Sequence, residues 1–131
     1  MERRIINPWT WQDQLGFVQA NEVRGEGRTL IISGQTSVDA DGSPMHPGDM
    51  LGQLTQSLDN LETVLRDAGF KLSDVVRLNA YTTDVDAFLG AWGALAPRMA
   101  ESGCRVASTL LGVTRLAFPE LLVEIEATAM E

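Results

Sequence analysis

Near its end the chain alternates: Val123, Ile125 and Ala127 are apolar, and Glu124 and Glu126 stand between them. Successive strand residues point to opposite faces, so the two carboxylates share one side and the apolar residues the other. This predicts a strand over 121–130 with one core-bound face and one face that is either solvated or chemical. A different period governs Leu51, Leu54, Leu58, Leu61 and Leu65, which form one stripe of a helix beginning near Asp49 as N-cap and ending at Gly69. Phe88, Trp92, Leu95 and Met99 repeat that stripe and predict a second helix. Between the two, residues 75–83 are rich in β-branched types and predict a strand with Arg77, Asn79 and Tyr81 on one parity.

Short apolar runs at 16–23 and 29–33 flank Arg24-Gly25-Glu26-Gly27-Arg28, a glycine-bearing connection that suits a hairpin. Residues 39–44, Asp-Ala-Asp-Gly-Ser-Pro, are loop material, and a further strand is predicted over 106–113. The resulting order is β-β-α-β-α-β-β, an α/β domain of the α+β type occupying residues 1–131. Two helices striped on one side cover one face of a mostly β layer. The opposite face is left open, and oligomerisation is the usual remedy.

Composition narrows the chemistry. One cysteine, Cys104, and one histidine, His46, are too few for a structural zinc site or a histidine-paired nucleophile, so metal chemistry is not expected. Net charge is −8, and the nine arginines and one lysine are scattered, which argues against a nucleic-acid partner, since such binding rests on grouped cations. A basic groove assembled in an oligomer is the alternative. Lys71, beside Gly69-Phe70 in a loop, lacks the burial a Schiff-base lysine needs. The opening Met1-Glu2-Arg3-Arg4 has no apolar signal-peptide core and no stretch approaches a membrane span, so no membrane association is expected. With an unpaired cysteine, the expected location is a reducing cytoplasm.

Five blocks then carry a resemblance: Gly16-Phe17-Val18-Gln19-Ala20, Ser33-Gly34-Gln35 with Asp39 following, Asp59-Asn60-Leu61, Thr83-Asp84, and Val123-Glu124-Ile125-Glu126-Ala127. In order and spacing over nearly the whole chain they resemble the RidA/YjgF family. The resemblance implies a chorismate-mutase-like fold, a homotrimer with an inner β-barrel, and three clefts between subunits. It also implies hydrolase activity without a cofactor: reactive enamines and imines such as 2-aminoacrylate are hydrolysed to 2-keto acids and ammonium. By the same resemblance Arg105 and Glu124 are the catalytic pair, and Phe17, Ser33, Gly34, Trp92 and Thr109 are the substrate-binding positions.

That residue set suits the chemistry. A guanidinium holds an imino acid's carboxylate through two charge-assisted hydrogen bonds. A carboxyl whose pKa lies near the working pH moves the protons that accompany water addition to C=N. Glu126, on the same face, is expected to be a solvated or arginine-paired neighbour.

Four departures bear on activity. Active members have their arginine immediately before the Ser-Thr-like pair of the penultimate strand; here that place is Ala107, and Arg105 lies two residues upstream, ~6.5 Å along a strand. The segment after it is one residue longer than the family run, with Gly112 as the candidate bulge that absorbs the extra residue. Phe17 replaces a common tyrosine, losing a hydroxyl, and Trp92 stands where active members often offer asparagine. Both changes make the cleft more apolar and favour a larger, less polar carbonyl ligand or a weakened catalyst. The competing class is a non-catalytic module that captures small carboxylates or metabolites in the same clefts. A ribonuclease role, sometimes attached to the family, is disfavoured by the acidic charge and the lack of a histidine pair.

Overall fold

The computed structural model describes residues 1–25 and 27–131. Seven strands and two helices follow in the order β1 (Glu2–Ile6), β2 (Phe17–Val18), β3 (Ala20–Arg24), β4 (Thr29–Thr36), α1 (Met50–Asp67), β5 (Val75–Thr82), α2 (Val85–Glu101), β6 (Val106–Gly112) and β7 (Val123–Met130). Five of the strands form a mixed sheet in the spatial order β2-β6-β5-β7-β4. β5 runs parallel to β6, a pairing that needs a long crossover, and α2 supplies it. β7 is antiparallel to both β5 and β4.

Both helices start where the side chains dictate. The Asp49 carboxylate accepts from Gly52 N at 2.9 Å and the Asp84 carboxylate from Ala87 N at 3.0 Å, each satisfying an orphan amide of a first turn. Leu54, Leu58, Leu61 and Leu65 of the stripe are buried, and Leu51, at the stripe's edge, is exposed. They pack on Val123, Ile125, Ala127 and Ala129, the apolar parity of β7. Buried Gln53 fixes the approach to β7: its amide donates to the carbonyls of His46 and Glu120, and its carbonyl accepts from Leu122 N.

Four features differ from the sequence expectation. The run 16–23 is two strands: β2 joins the main sheet, while β3 pairs with β1, an N-terminal strand that the pattern did not announce. β3 and β4 therefore form no hairpin; β4 pairs with β7 instead. Glu26, within the expected hairpin connection, lies outside the described residues. Gly112 is not a bulge, because the β5–β6 register runs unbroken from Arg77/Ala107 to Thr82/Gly112. The register shifts lie elsewhere, between Ile32 and Gln35 of β4 and between Val75 and Arg77 of β5. Among the described residues no helix is long and apolar enough to cross a membrane.

Candidate active site

One face of the sheet carries the two helices, and the other carries polar side chains. On β5, Leu78, Ala80 and Thr82 are buried toward the helices, so Arg77, Asn79 and Tyr81 stand on the open face. Their neighbours there come by register: Thr128, Glu126 and Glu124 from β7, and Ala107, Thr109 and Leu111 from β6.

The two glutamates of β7 occupy different environments. Glu126 accepts from the Tyr81 hydroxyl and from Asn79 Nδ2. Those bonds, first from Tyr81 and then from Asn79, hold its carboxyl below the usual carboxylate range, and the nearby Arg77 charge adds to the effect. Glu124 receives no such bonds among the described residues. Partial burial, and secondarily the charge of Glu126, push its carboxyl above the usual range.

The position of Glu124 depends on the bulge in β4. A Cβ at Gly34 would lie 2.6 Å from both Cδ and Oε2 of Glu124, so the carboxylate rests directly on the bare backbone of Gly34. Ser33, beside it in the same irregular stretch, is exposed, and its carbonyl accepts from Gln35 Nε2. Thr109, on β6, accepts from Arg77 Nη2 at 2.6 Å.

The remaining predicted residues lie elsewhere in the chain. Phe17 and Trp92 line an apolar cleft of about 410 Å³ on the helix side, together with Phe88, Leu89, Ser108 and Leu110. Trp92 stacks on Phe88 with ring centroids 5.9 Å apart and donates its Nε1–H to Leu15 O at 3.0 Å, which ties α2 to the segment before β2. Trp11 meets the Phe17 ring edge-on. Arg105 precedes β6 and shares a smaller cleft of about 260 Å³ with Phe17, Gly103 and Cys104. Its backbone carbonyl accepts from Asn21 Nδ2 and from Arg3, so the β1–β3 ribbon fastens this point of the chain. Burial drives the Cys104 thiol up to about 12, which leaves it inert as a nucleophile at neutral pH.

Within one copy, then, Glu124, Gly34, Ser33 and Thr109 belong to the open face, and Phe17, Trp92 and Arg105 to the helix side and its edge. Sequence reasoning left Arg77, Asn79 and Tyr81 out of the site. Their shared parity on β5 was the available signal.

Comparison with known proteins follows the same lines. Residues 14–131 match the sequence profile of the endoribonuclease L-PSP family. A RutC family protein of Pyrococcus horikoshii is 33% identical over 103 residues, 79% of either chain. The 2-iminobutanoate/2-iminopropanoate deaminase of Escherichia coli is 34% identical over 62 residues, 47% of this chain and 48% of that one. Among solved structures, the Rid-family protein YyfB of Yersinia pestis, described as of unknown function, superposes with a TM-score of 0.89 at 43% identity over the whole of both chains.

Proposed function

Given that the chain belongs to the endoribonuclease L-PSP family, the RidA/YjgF family, we propose that it hydrolyses a small enamine or imine to a 2-keto acid and ammonium in a cleft between copies of itself. The deaminase named among its relatives supports the reaction class. The observation that carries it here is the divided pair of carboxyls, Glu124 shifted up and Glu126 shifted down on one strand face. That division, with Glu124 resting on Gly34 and Glu126 bonded to Tyr81 and Asn79, supports Glu124 as the proton carrier and Glu126 as a fixed charge.

In the proposed reaction an enamine is first protonated at carbon to give the iminium ion. Water adds to the C=N carbon and loses a proton to Glu124, and a neutral carbinolamine forms. Glu124 then returns that proton to the nitrogen, the C–N bond breaks with its electron pair leaving on ammonia, and the hydroxyl proton passes to that ammonia, leaving C=O and ammonium. A carboxyl that both takes and gives a proton needs a pKa raised toward neutrality, which is the direction found.

A second copy is part of the proposal. Thr109 and Glu124 are two strands and two residues apart, ~12 Å by strand spacing and rise, too far for one three- or four-carbon acid to bridge. The open face also exposes Ile31 (83%) and Leu111 (51%), apolar surface that a partner would cover. The proposed homotrimer supplies that second copy. The ligand is a 2-imino acid turned into a 2-keto acid, and a reducing compartment such as the cytoplasm suits the free Cys104.

The second reading, a trimeric module that binds carboxylates or metabolites without turnover, is favoured by Ala107 at the family's arginine position and by the apolar cleft around Phe17 and Trp92. One assay separates the two: keto acid and ammonium released from 2-aminoacrylate and from bulkier imines generated in situ. Release above the uncatalysed rate, lost in Glu124→Gln, supports the deaminase. Ligand binding without release supports the module.

A further inference from the structure

Residue 107 carries no arginine, but its neighbour across the sheet does. We propose that Arg77, on β5, is the group that holds the ligand's carboxylate in this chain, in place of an arginine on β6. This rests on the proposed function for the identity of the ligand.

Arg77 and Ala107 are Cα partners in the unbroken β5–β6 register. Partners on adjacent strands share a face, and with Leu78 buried beneath α2, both residues point to the open side. Strands lie ~4.8 Å apart, a gap that an arginine side chain crosses. The structure records that crossing: Arg77 Nη2 donates to Thr109 Oγ1 on β6 at 2.6 Å. The guanidinium therefore reaches β6 at Thr109, two residues along the same face from Ala107, the Cα partner of Arg77.

It is also available. Of the five guanidinium N–H donors, that bond to Thr109 is the only one that engages a partner among the described residues, and Arg77 forms no ion pair there. Glu126, the nearest anion on this face, is occupied by Tyr81 and Asn79 and does not close on it. A guanidinium with two adjacent free N–H groups presents the fork that matches a carboxylate. Thr109 fixes one edge of that fork and leaves the other open. An arginine at 107 would have set a second guanidinium against Arg77, a like-charge pair one strand apart. Ala107 and Arg77 are thus two halves of one arrangement, with the charge moved one strand inward.

Arg105 stands apart from that face: it precedes β6 and borders the 260 Å³ cleft on the helix side with Phe17 and Cys104, and the bonds from Asn21 and Arg3 reach its backbone carbonyl, not its guanidinium.

Calorimetric titration with pyruvate, and with methyl pyruvate as its neutral counterpart, tests the proposal on the full chain. The unmodified protein is expected to prefer pyruvate. Arg77→Ala should weaken pyruvate at least tenfold and abolish its advantage over the ester, and Arg77→Lys should restore part of both, since it returns the charge without the fork. Arg105→Ala should bind pyruvate within twofold of the parent. Thermal unfolding of each variant verifies that it is folded. Full pyruvate affinity in Arg77→Ala, a loss that falls on Arg105→Ala instead, or a parent that does not distinguish acid from ester overturns the proposal. Keto-acid release measured on the same preparations keeps the two questions apart. Arg77-dependent pyruvate binding without turnover sinks the deaminase and leaves Arg77 standing; turnover together with Arg77-independent binding does the reverse.

Discussion

Ile125 and Glu124 are neighbours on one strand and belong to different worlds. The parity of Ile125 lies under α1, and Val123, Ile125, Ala127 and Ala129 are at most 4% exposed. The parity of Glu124 faces Tyr81 and Thr36, with Ile31 largely bare at the far end. The covered face is finished by the chain's own helices, so its side chains answer only to packing. Among the described residues, the open face holds a paired carboxylate, an unpaired one and a guanidinium with free donors, groups that a core would not tolerate. On the proposed function, the chemistry sits on the face that the single chain leaves uncovered, where a second copy would both cover and complete it.

The sharpest break of that contrast lies on the covered side. Leu58, fully buried in α1, should cost about 2–5 kcal/mol when truncated to alanine, through lost burial and the cavity left behind. Chemical denaturation at fixed protein concentration measures it. On the open side Ile31→Ser should leave far-UV circular dichroism unchanged but shift light scattering toward a smaller species. If the scattering mass of the parent is already that of a monomer, the inter-copy cleft is lost with it.

Next in size is the chemistry of the open face. Glu124→Gln should lower turnover ~10²-fold or more with the assembly intact, since it keeps shape and hydrogen bonding but not titration. Glu126→Gln should do much less. Equal losses in the two variants would show that the carboxyls act as a unit rather than in divided roles.

The same division sets opposite pH dependences of stability. Glu124 has a folded pKa above its unfolded one, so the folded chain holds the proton more tightly, and stability falls as pH rises through the window between them. Glu124→Gln should therefore raise the Tm at neutral pH, and the gain should vanish below the ordinary carboxylate range. Glu126 has a lowered folded pKa, so its contribution is present above the unfolded value and fades as pH falls through the folded one. Glu126→Gln should lower the Tm at neutral pH and match the parent in acid. Both effects are small, because the face is only partly desolvated. Melting curves across the acid range read both signs.

The smallest change expected is Gly34→Ala. Its methyl would meet the mobile end of Glu124 rather than backbone, so the Tm should scarcely move, while turnover falls several-fold as the carboxylate is displaced. A large loss of Tm would mean that the β4 bulge itself requires glycine.

Local rules made both helices legible: the leucine stripe, the Asp49 cap and the second stripe through Phe88 and Met99 all stand where the periodicities put them. The alternation of β7 likewise announced its two faces. What local rules did not reach were pairings between distant segments. β1 has no alternating signature, and β3 leaves its sequence neighbour β4 to join it. The β4 bulge, not Gly112, proved to be the irregular point, because register is set by which strand lies alongside and a strand does not encode its partner.

The candidate site divides in the same way. The sequence alone determined that Glu124 and Glu126 share a strand face and that Arg77, Asn79 and Tyr81 share another, since side-chain parity is a property of a single strand. Only the tertiary structure decided that these two faces are one. Register then sets Glu126 against Asn79 within reach of Tyr81, rests Glu124 on Gly34, and lays Arg77 beside Ala107. Hydrogen bonding and desolvation act over a few ångströms, and residues up to 90 positions apart in the chain come that close only when the sheet has formed.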